Sequence, residues 1–341
     1  MILHLFAGPG GMDAGAGEPG VGVEFDDGTV ATRRAAGLAT VHGDVRDHGP
    51  ADFPEADTLA GGPPCQTFSV GGRGEGRRLL VHLQQRAKAM AARQAVPSAP
   101  PGTDERSLLV LEPLRYALAA ADVGHPYRAV VLEQVPQALQ VWETYVEILR
   151  AEGYSAACGV VNAVEYGVPQ TRRRAVLLAR RDGPVGIPAP THRPWRRGWA
   201  LSEVESHRRP VVSMGDVLDR PGPFTVVPNY GTGGDSARRG RRASTEPAFT
   251  VTGKISRNRV VGPDGEELPR FTWSEAGRLQ GFPADWPWSG QDISQQIGNA
   301  CPTQLAAALF RAVRGPAYDG EPVRAYAPGD MTEISTCGWT A

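Results

Sequence analysis

Short apolar runs alternate with helix-spaced segments through the first half of the chain. Ile2 to Ala7 is an apolar run broken by Gly8-Pro9-Gly10-Gly11, and Val21 to Glu24 is a second. Thr29 to Ala36 has helical composition, and Thr40 to Val45 ends a third strand. Asp57 to Ala60 forms a fourth and runs into Gly61-Gly62-Pro63-Pro64-Cys65. Leu79 to Gln94 predicts a helix with a basic face. From Asp104 to Ala121, Leu108, Leu111, Leu114, Ala117 and Leu118 recur at helical spacing. Ala129 to Leu132 predicts a buried strand, Val141 to Glu152 a helix stopped by Gly153, and Tyr154 to Val161 and Ala175 to Ala179 two further strands. Strand-helix alternation of this kind predicts an α/β fold: a mostly parallel, Rossmann-like sheet with helices on both faces.

The texture changes at about Asp182. Pro, Gly, Arg and Trp with short β-like pieces, Phe224 to Val227 and Ala248 to Thr252, replace the alternation up to about Pro287. The division expected is a first part of a catalytic domain over 1–181, a smaller, irregular, mainly β unit over 182–287, a return to the first unit over 288–314, and a loose tail over 315–341. Within the return, Gln296 to Ala300 reads as a turn and Thr303 to Val313 as an alanine-rich amphipathic helix.

Composition adds three constraints. Charged residues make up 21% and hydrophobic ones 41% of 341 residues, as in a soluble globular protein, and no apolar run has the length of a membrane span. Cys65, Cys158, Cys301 and Cys337 lie far apart with no C-x-x-C pair, so neither a zinc site nor a disulfide framework is indicated, and a reducing, cytoplasmic setting is expected. Net charge is −1, yet arginines crowd between Arg73 and Arg93, Arg172 and Arg209, and Arg238 and Arg259. Three such runs in a balanced chain imply a positive face for a polyanion.

The candidate chemistry lies at strand ends. Cys65 follows two glycines and two prolines at the carboxyl end of a parallel strand, where open α/β sheets place their chemistry, with arginines close behind it. The glycine turn opens like a nucleotide-binding entry, but Asp13 stands at the last position of G-x-G-x-x-G, which points to a different nucleoside-bearing ligand. Glu24 and Asp44 each end a strand, with Phe25 placed to cover a ring, and together they outline an adenosine site. Glu133 ends another strand and lies near the cysteine loop if the two strands are neighbours. Arg172 and Arg174 alternate and so face one side, as anion or base-edge contacts require.

In order, these motifs resemble the DNA (cytosine-5)-methyltransferases. Phe6-Ala7-Gly8-Pro9-Gly10-Gly11 is similar to the family's S-adenosylmethionine loop, Pro64-Cys65-Gln66 to its catalytic loop, and Glu133-Gln134-Val135 to its Glu-Asn-Val. Gln170-Thr171-Arg172-Arg173-Arg174 matches Gln-x-Arg-x-Arg, and Arg278 to Pro283 and Gln296 to Asn299 match its last blocks. The likeness spans roughly residues 1 to 314 outside a variable region. It implies the fold of S-adenosylmethionine-dependent methyltransferases, with the 182–287 unit as the target-recognition domain, and methyl transfer to carbon 5 of a flipped cytosine in duplex DNA. By that resemblance Cys65 is the nucleophile, Glu133 holds the ring, and Arg172 and Arg174 stabilise the base carbonyl and a nearby phosphate. Phe6, Gly8, Gly10, Glu24, Phe25, Asp44, Val45 and Asn299 fall at the cofactor. Gln66, Ser69, Arg73, Arg77 and Arg78 beside the catalytic loop, and Arg238, Arg239, Arg241 and Arg242 in the variable region, fall at DNA. No metal is implied, because the sulfonium is already activated. A monomer acting on double-stranded DNA is expected, with a cognate restriction endonuclease as a partner the family admits.

Two residues depart from the family pattern: Gln134 stands for asparagine, one methylene longer, and His4 stands where an aspartate is common. Three rival readings differ from this one in what they require. A catalytically inactive DNA-binding relative would lack the cysteine, glutamate or glycines, and all are present. An RNA (tRNA) cytosine-5 methyltransferase shares the motifs and differs in substrate. A dinucleotide oxidoreductase conflicts with Asp13.

Overall fold

The computed structural model describes residues 1–64, 75–196, 207–228 and 240–315, with side chains in the second stretch described from residue 79. Seven strands form the main sheet: β1 (Ile2–Leu5), β2 (Gly20–Glu24), β3 (Thr40–His42), β4 (Thr58–Gly61), β5 (Ala129–Gln134), β6 (Ser155–Asn162) and β7 (Arg173–Arg180). Their order is β3-β2-β1-β4-β5-β7-β6. The first five are parallel, and β7 runs antiparallel to both β5 and β6. Successive strand residues point to opposite faces, and both faces are buried. Leu3, Leu5, Val130, Leu132 and Leu177 share one core with Leu114 and Trp142. Ile2, Ala60, Val131, Val176 and Leu178 share the other with Met12, Leu305 and Phe310.

The helices associated with this sheet are α1 (Gly11–Ala16), α2 (Asp27–Ala35), α3 (Glu75–Ala91), α4 (Glu112–Asp122) and α5 (Leu139–Ala151). The single helix expected over Asp104 to Ala121 is divided: Glu105–Leu111 is a 3-10 segment and only then does α4 begin. Pro113 sits in the first turn of α4, where its missing N–H costs nothing; further along a helix it would break the ladder.

A second sheet of four strands, β8 (Thr225–Val227), β9 (Arg242–Ala243), β10 (Arg259–Val261) and β11 (Glu267–Leu268), is antiparallel in the order β11-β10-β8-β9. Four further helices accompany it in the chain: α6 (Met214–Val217), α7 (Trp273–Arg278), α8 (Ile293–Asn299) and α9 (Thr303–Arg314). The turn expected at Gln296 to Ala300 is instead mostly the end of α8. Gly298 is there for closeness: a Cβ on it would run into the backbone of Thr252 and Gly253. Ile293 and Ile297 of α8 join the core of the small sheet, while Gln296 bonds Thr32 of α2. α9 returns to the main sheet, packed so tightly on α1 that Gly15 has no room for a side chain. Ala248 to Thr252 is not a strand; its one bridge pairs Ala248 with Gln170.

Candidate active site

Antiparallel β7 decides the site's geometry, because its first residues lie beside the carboxyl end of β5, whose other neighbour is β4. Glu133 pairs with Val176 and Gln134 with Ala175, so Arg174 lies one residue past the end of β5. The Arg174 Nε is 2.7 Å from Glu133 Oε1, in a pair that is mostly buried at both ends, although the N–H is not aligned on that oxygen as a hydrogen bond. A Cβ on Gly62 would come within 3.8 Å of Glu133 Oε2, so the segment leading to Cys65 runs directly past this carboxylate. Glu133, Arg174 and the Gly62–Pro64 segment are thus brought together. Cys65 itself, with Gln66, Ser69 and Arg73, lies outside the described residues, as do Arg238 and Arg239 and the side chains of Arg77 and Arg78.

Gln134 keeps a loop contact despite its longer stem. Its Nε2 donates to the Pro63 carbonyl and its Oε1 accepts from the Val135 N–H. The side-chain amide therefore ties the end of β5 to the entrance of the cysteine loop.

Arg172 requires a correction. It shares the side of Arg174, but its guanidinium is buried and spent on backbone carbonyls: Nη1 donates to Val251 (2.9 Å), and Nη2 to Gly298 (3.0 Å) and Ala300 (3.1 Å). Burial, with the Arg174 charge second, pushes its pKa well below the usual arginine range. It pins the start of β7 to the Val251 backbone and to the end of α8, while its Nε is buried without a hydrogen-bond partner among the described residues.

Sequence reasoning missed the partner of this clamp. Gln170 is fully buried, donates to Leu279 O and Gln280 Oε1 (both 2.7 Å), and accepts from the Val251 N–H (2.9 Å). Gln280 in turn donates to Ile297 O. The signal was available in part, since a glutamine in each of two matched blocks is a polar residue with no surface pattern around it.

Arg242 also requires a correction. It was expected to touch DNA, yet it is buried, with its guanidinium carbon 3.7 Å from the Trp195 ring centroid and 4.6 Å from that of Phe249. Nη1 donates to Pro247 O (2.8 Å) and Nη2 to Thr171 Oγ1 (3.3 Å). Its neighbour Arg241 is exposed.

The predicted cofactor residues gather at the ends of β1, β2 and β3. Gly8 (φ +60°) and Gly10 (φ +103°) adopt the left-handed backbone that glycine permits, and Phe6 takes φ +53°, a conformation that costs a non-glycine residue about 1 kcal/mol. Glu24 does not stand free: Oε2 accepts from Gly8 N–H (2.8 Å) and Oε1 from the N–H groups of Phe25 and Asp26 (both 2.9 Å). Asp44 is held by Arg46 through Nη2 (2.6 Å) and Nε, an arrangement that lowers its pKa. Val45 is buried and its carbonyl accepts from Tyr116 OH, whereas Phe25 is 72% exposed. Asn299, at the end of α8, accepts at Oδ1 from Gln295. His4 is buried in the sheet against Phe310.

Among the described residues no cluster of ligating side chains could hold a metal ion, and no helix is long and apolar enough to cross a membrane.

A seven-stranded sheet with an antiparallel β7 is a fold this chain shares with solved methyltransferases. The solved Dnmt2 methyltransferase of S. pombe superposes with a TM-score of 0.62 at 18% identity, over 93% of this chain and 99% of that one. The Entamoeba histolytica methyltransferase EhMeth does so at 0.59 and 14%, over 92% and 97%. More particularly, the C-5 cytosine-specific DNA methylase model matches residues 1–79, 128–197 and 190–314, and the chain belongs to that family. Its relatives include the Type II methyltransferase M1.HphI of Haemophilus parahaemolyticus, 27% identical over 91% of this chain and 86% of that protein. M.AplI of Arthrospira platensis is 28% identical over 92% and 85%.

Proposed function

We propose that this chain methylates carbon 5 of a cytosine flipped from duplex DNA at a defined site, with S-adenosylmethionine as donor and Cys65 as nucleophile. The observation that carries the reading is the meeting of the Gly62–Pro64 segment with the buried Glu133–Arg174 pair at adjacent strand ends. The cofactor reading is supported by open space at the glycine turn. A Cβ on Gly8 would meet nothing within 4 Å, the Glu24 carboxylate accepts from the Gly8 N–H, and the next residue after Glu24, Phe25, is exposed. Glu24 has about four lone-pair sites and gives three to backbone N–H groups, which leaves acceptor capacity for a ribose hydroxyl. Phe6 and Val45 would border the adenine, Asp44 its edge, and Asn299 the amino-acid end. When bound, S-adenosylmethionine supplies a methyl group on a sulfonium.

The chain's own residues do the rest. A cytosine ring carbon is a poor nucleophile, so the Cys65 thiolate bonds to carbon 6 and pushes the ring electrons towards carbon 5. Glu133 accepts from the exocyclic amine and holds a proton at ring nitrogen 3, which neutralises the charge the ring gains. Arg174, its Nε 2.7 Å from Glu133 and its Nη1 donating to Arg173 O, would orient that carboxyl and lie against the base carbonyl. Carbon 5 would take the methyl group as the donor's methyl–sulfur bond breaks; water then accepts the carbon 5 proton, the freed electron pair restores the ring's 5,6 double bond, and Cys65 leaves carbon 6 as the thiolate. Arg172 acts through position, by fixing the start of β7. Gln66, Ser69, Arg73, Arg77 and Arg78 on one side, and Arg238, Arg239 and Arg241 on the other, would hold the duplex.

Bisulfite or nanopore sequencing of DNA from a host expressing the chain tests this. A single motif carrying 5-methylcytosine is expected. Methyl transfer to tRNA with none to duplex DNA would instead establish the RNA reading.

A further inference from the structure

Beneath the glycine turn lies a buried polar cluster that the proposed chemistry does not use. Arg33 of α2 is fully buried and forms a two-pronged pair with Asp13 of α1, Nη1 to Oδ2 at 3.0 Å and Nη2 to Oδ1 at 2.9 Å. The same guanidinium donates to the carbonyls of Gly8 (3.2 Å), Ala7 (3.4 Å) and Ala39 (3.3 Å), while Nε donates to Thr40 Oγ1 (3.0 Å). His4 closes the far side, its Nε2 3.7 Å from Asp13 Oδ1.

The strand next door is shaped around this cluster. Gly22 lies where any Cβ would strike the Arg33 guanidinium, and a Cβ on Gly20 would sit 2.8 Å from His4 Nε2. Two glycines in a central strand weaken it, and here they leave room for two polar side chains. Gly8 is therefore gripped from both directions: Glu24 takes its N–H at 2.8 Å and Arg33 its C=O at 3.2 Å. A left-handed Phe6 and Gly8 persist where the surroundings over-determine them.

We propose that Asp13 and Arg33 are positioning residues that set the shape of the Phe6–Gly10 turn and, through it, the affinity for the cofactor. The inference rests on the cofactor reading given above. It assigns work to the Asp13 that breaks the dinucleotide fingerprint. Asp13 orients Arg33, and Arg33 fixes two consecutive carbonyls of the turn. The pair neutralises its own charge, so the effect is geometric and should not reach DNA binding.

Calorimetry of S-adenosylhomocysteine binding, beside DNA affinity measured without cofactor, tests it. Asp13→Asn and Arg33→Lys should each weaken cofactor binding at least tenfold and change DNA affinity less than twofold. Thr40→Val, which removes only the Nε partner, should weaken it about threefold and keeps the question open to measurement if the buried variants do not fold. No binding by the wild type would remove the cofactor reading itself. A wild type that binds, with Thr40→Val and every folded variant binding equally well, would overturn the positioning role, as would equal losses of cofactor and DNA affinity.

Discussion

Replacing Arg242 by alanine separates structural from DNA-reading arginines in the small unit. The guanidinium lies between two rings, at 3.7 Å from Trp195 and 4.6 Å from Phe249, and is 8% exposed. A largely desolvated cation on aromatic faces contributes about 1 kcal/mol per ring, so about 2 in all. The hydrogen bond to Pro247 O at 2.8 Å, from a charged donor, adds about 1.5, and the long one to Thr171 at 3.3 Å adds little. Water entering the vacated space returns part of this, which leaves a loss of about 3 kcal/mol. Urea unfolding followed by fluorescence should show the midpoint falling accordingly, with lysine recovering some of the loss and Arg241→Ala none. Methylation mapping should find the Arg242→Ala site unchanged in sequence at a temperature where it is folded. An Arg242→Ala protein of undiminished stability that methylates a different site would refute the reasoning, because the residue would then be reading bases.

Glu24→Ala should weaken cofactor binding more than Asp44→Ala, by calorimetry, because Glu24 also holds the Gly8 N–H whereas Asp44 chiefly holds Arg46; equal or absent effects would contradict the assignment. The Asp13 carboxyl, which burial would raise but the Arg33 charge brings down to about 2, has a folded pKa below its unfolded value. Its stabilisation is complete above about pH 4 and is lost as pH falls through about 2, a contribution of about 2 kcal/mol. Acid unfolding of Asp13→Asn should lack that part of the slope; an unchanged slope would show that the pair is not strongly coupled.

What could be read from the chain followed local pattern. The strand ends carrying Glu24, Asp44 and Glu133 were legible because each is an apolar run closed by an acid and a turn, and the sheet places all three at its carboxyl edge. The roles of Arg172 and Arg242 were not legible. Alternation along a strand says which side a residue faces, but not what meets it there. The carbonyls that absorb Arg172 come from 79, 126 and 128 residues away, and no spacing rule covers such distances. Arg242 looked like part of a basic run until Trp195 and Phe249 enclosed it. The helical state of Gln296 to Asn299 is not legible locally, because Gly298, a poor helix former, is placed there by close contact with the backbone of Thr252 and Gly253. Gln134 lay between these cases, since its departure was visible and its reach to Pro63 was not.

The central claim is that Cys65 attacks carbon 6 of a target cytosine beside Glu133. A duplex carrying 5-fluorocytosine at the methylated position tests it most directly, because fluorine replaces the carbon 5 proton whose loss releases the thiol. With S-adenosylmethionine present, the wild-type chain should form a denaturation-resistant adduct that migrates as protein plus DNA, and Cys65→Ala should form none. An adduct that persists in Cys65→Ala would place the nucleophile elsewhere and contradict the account.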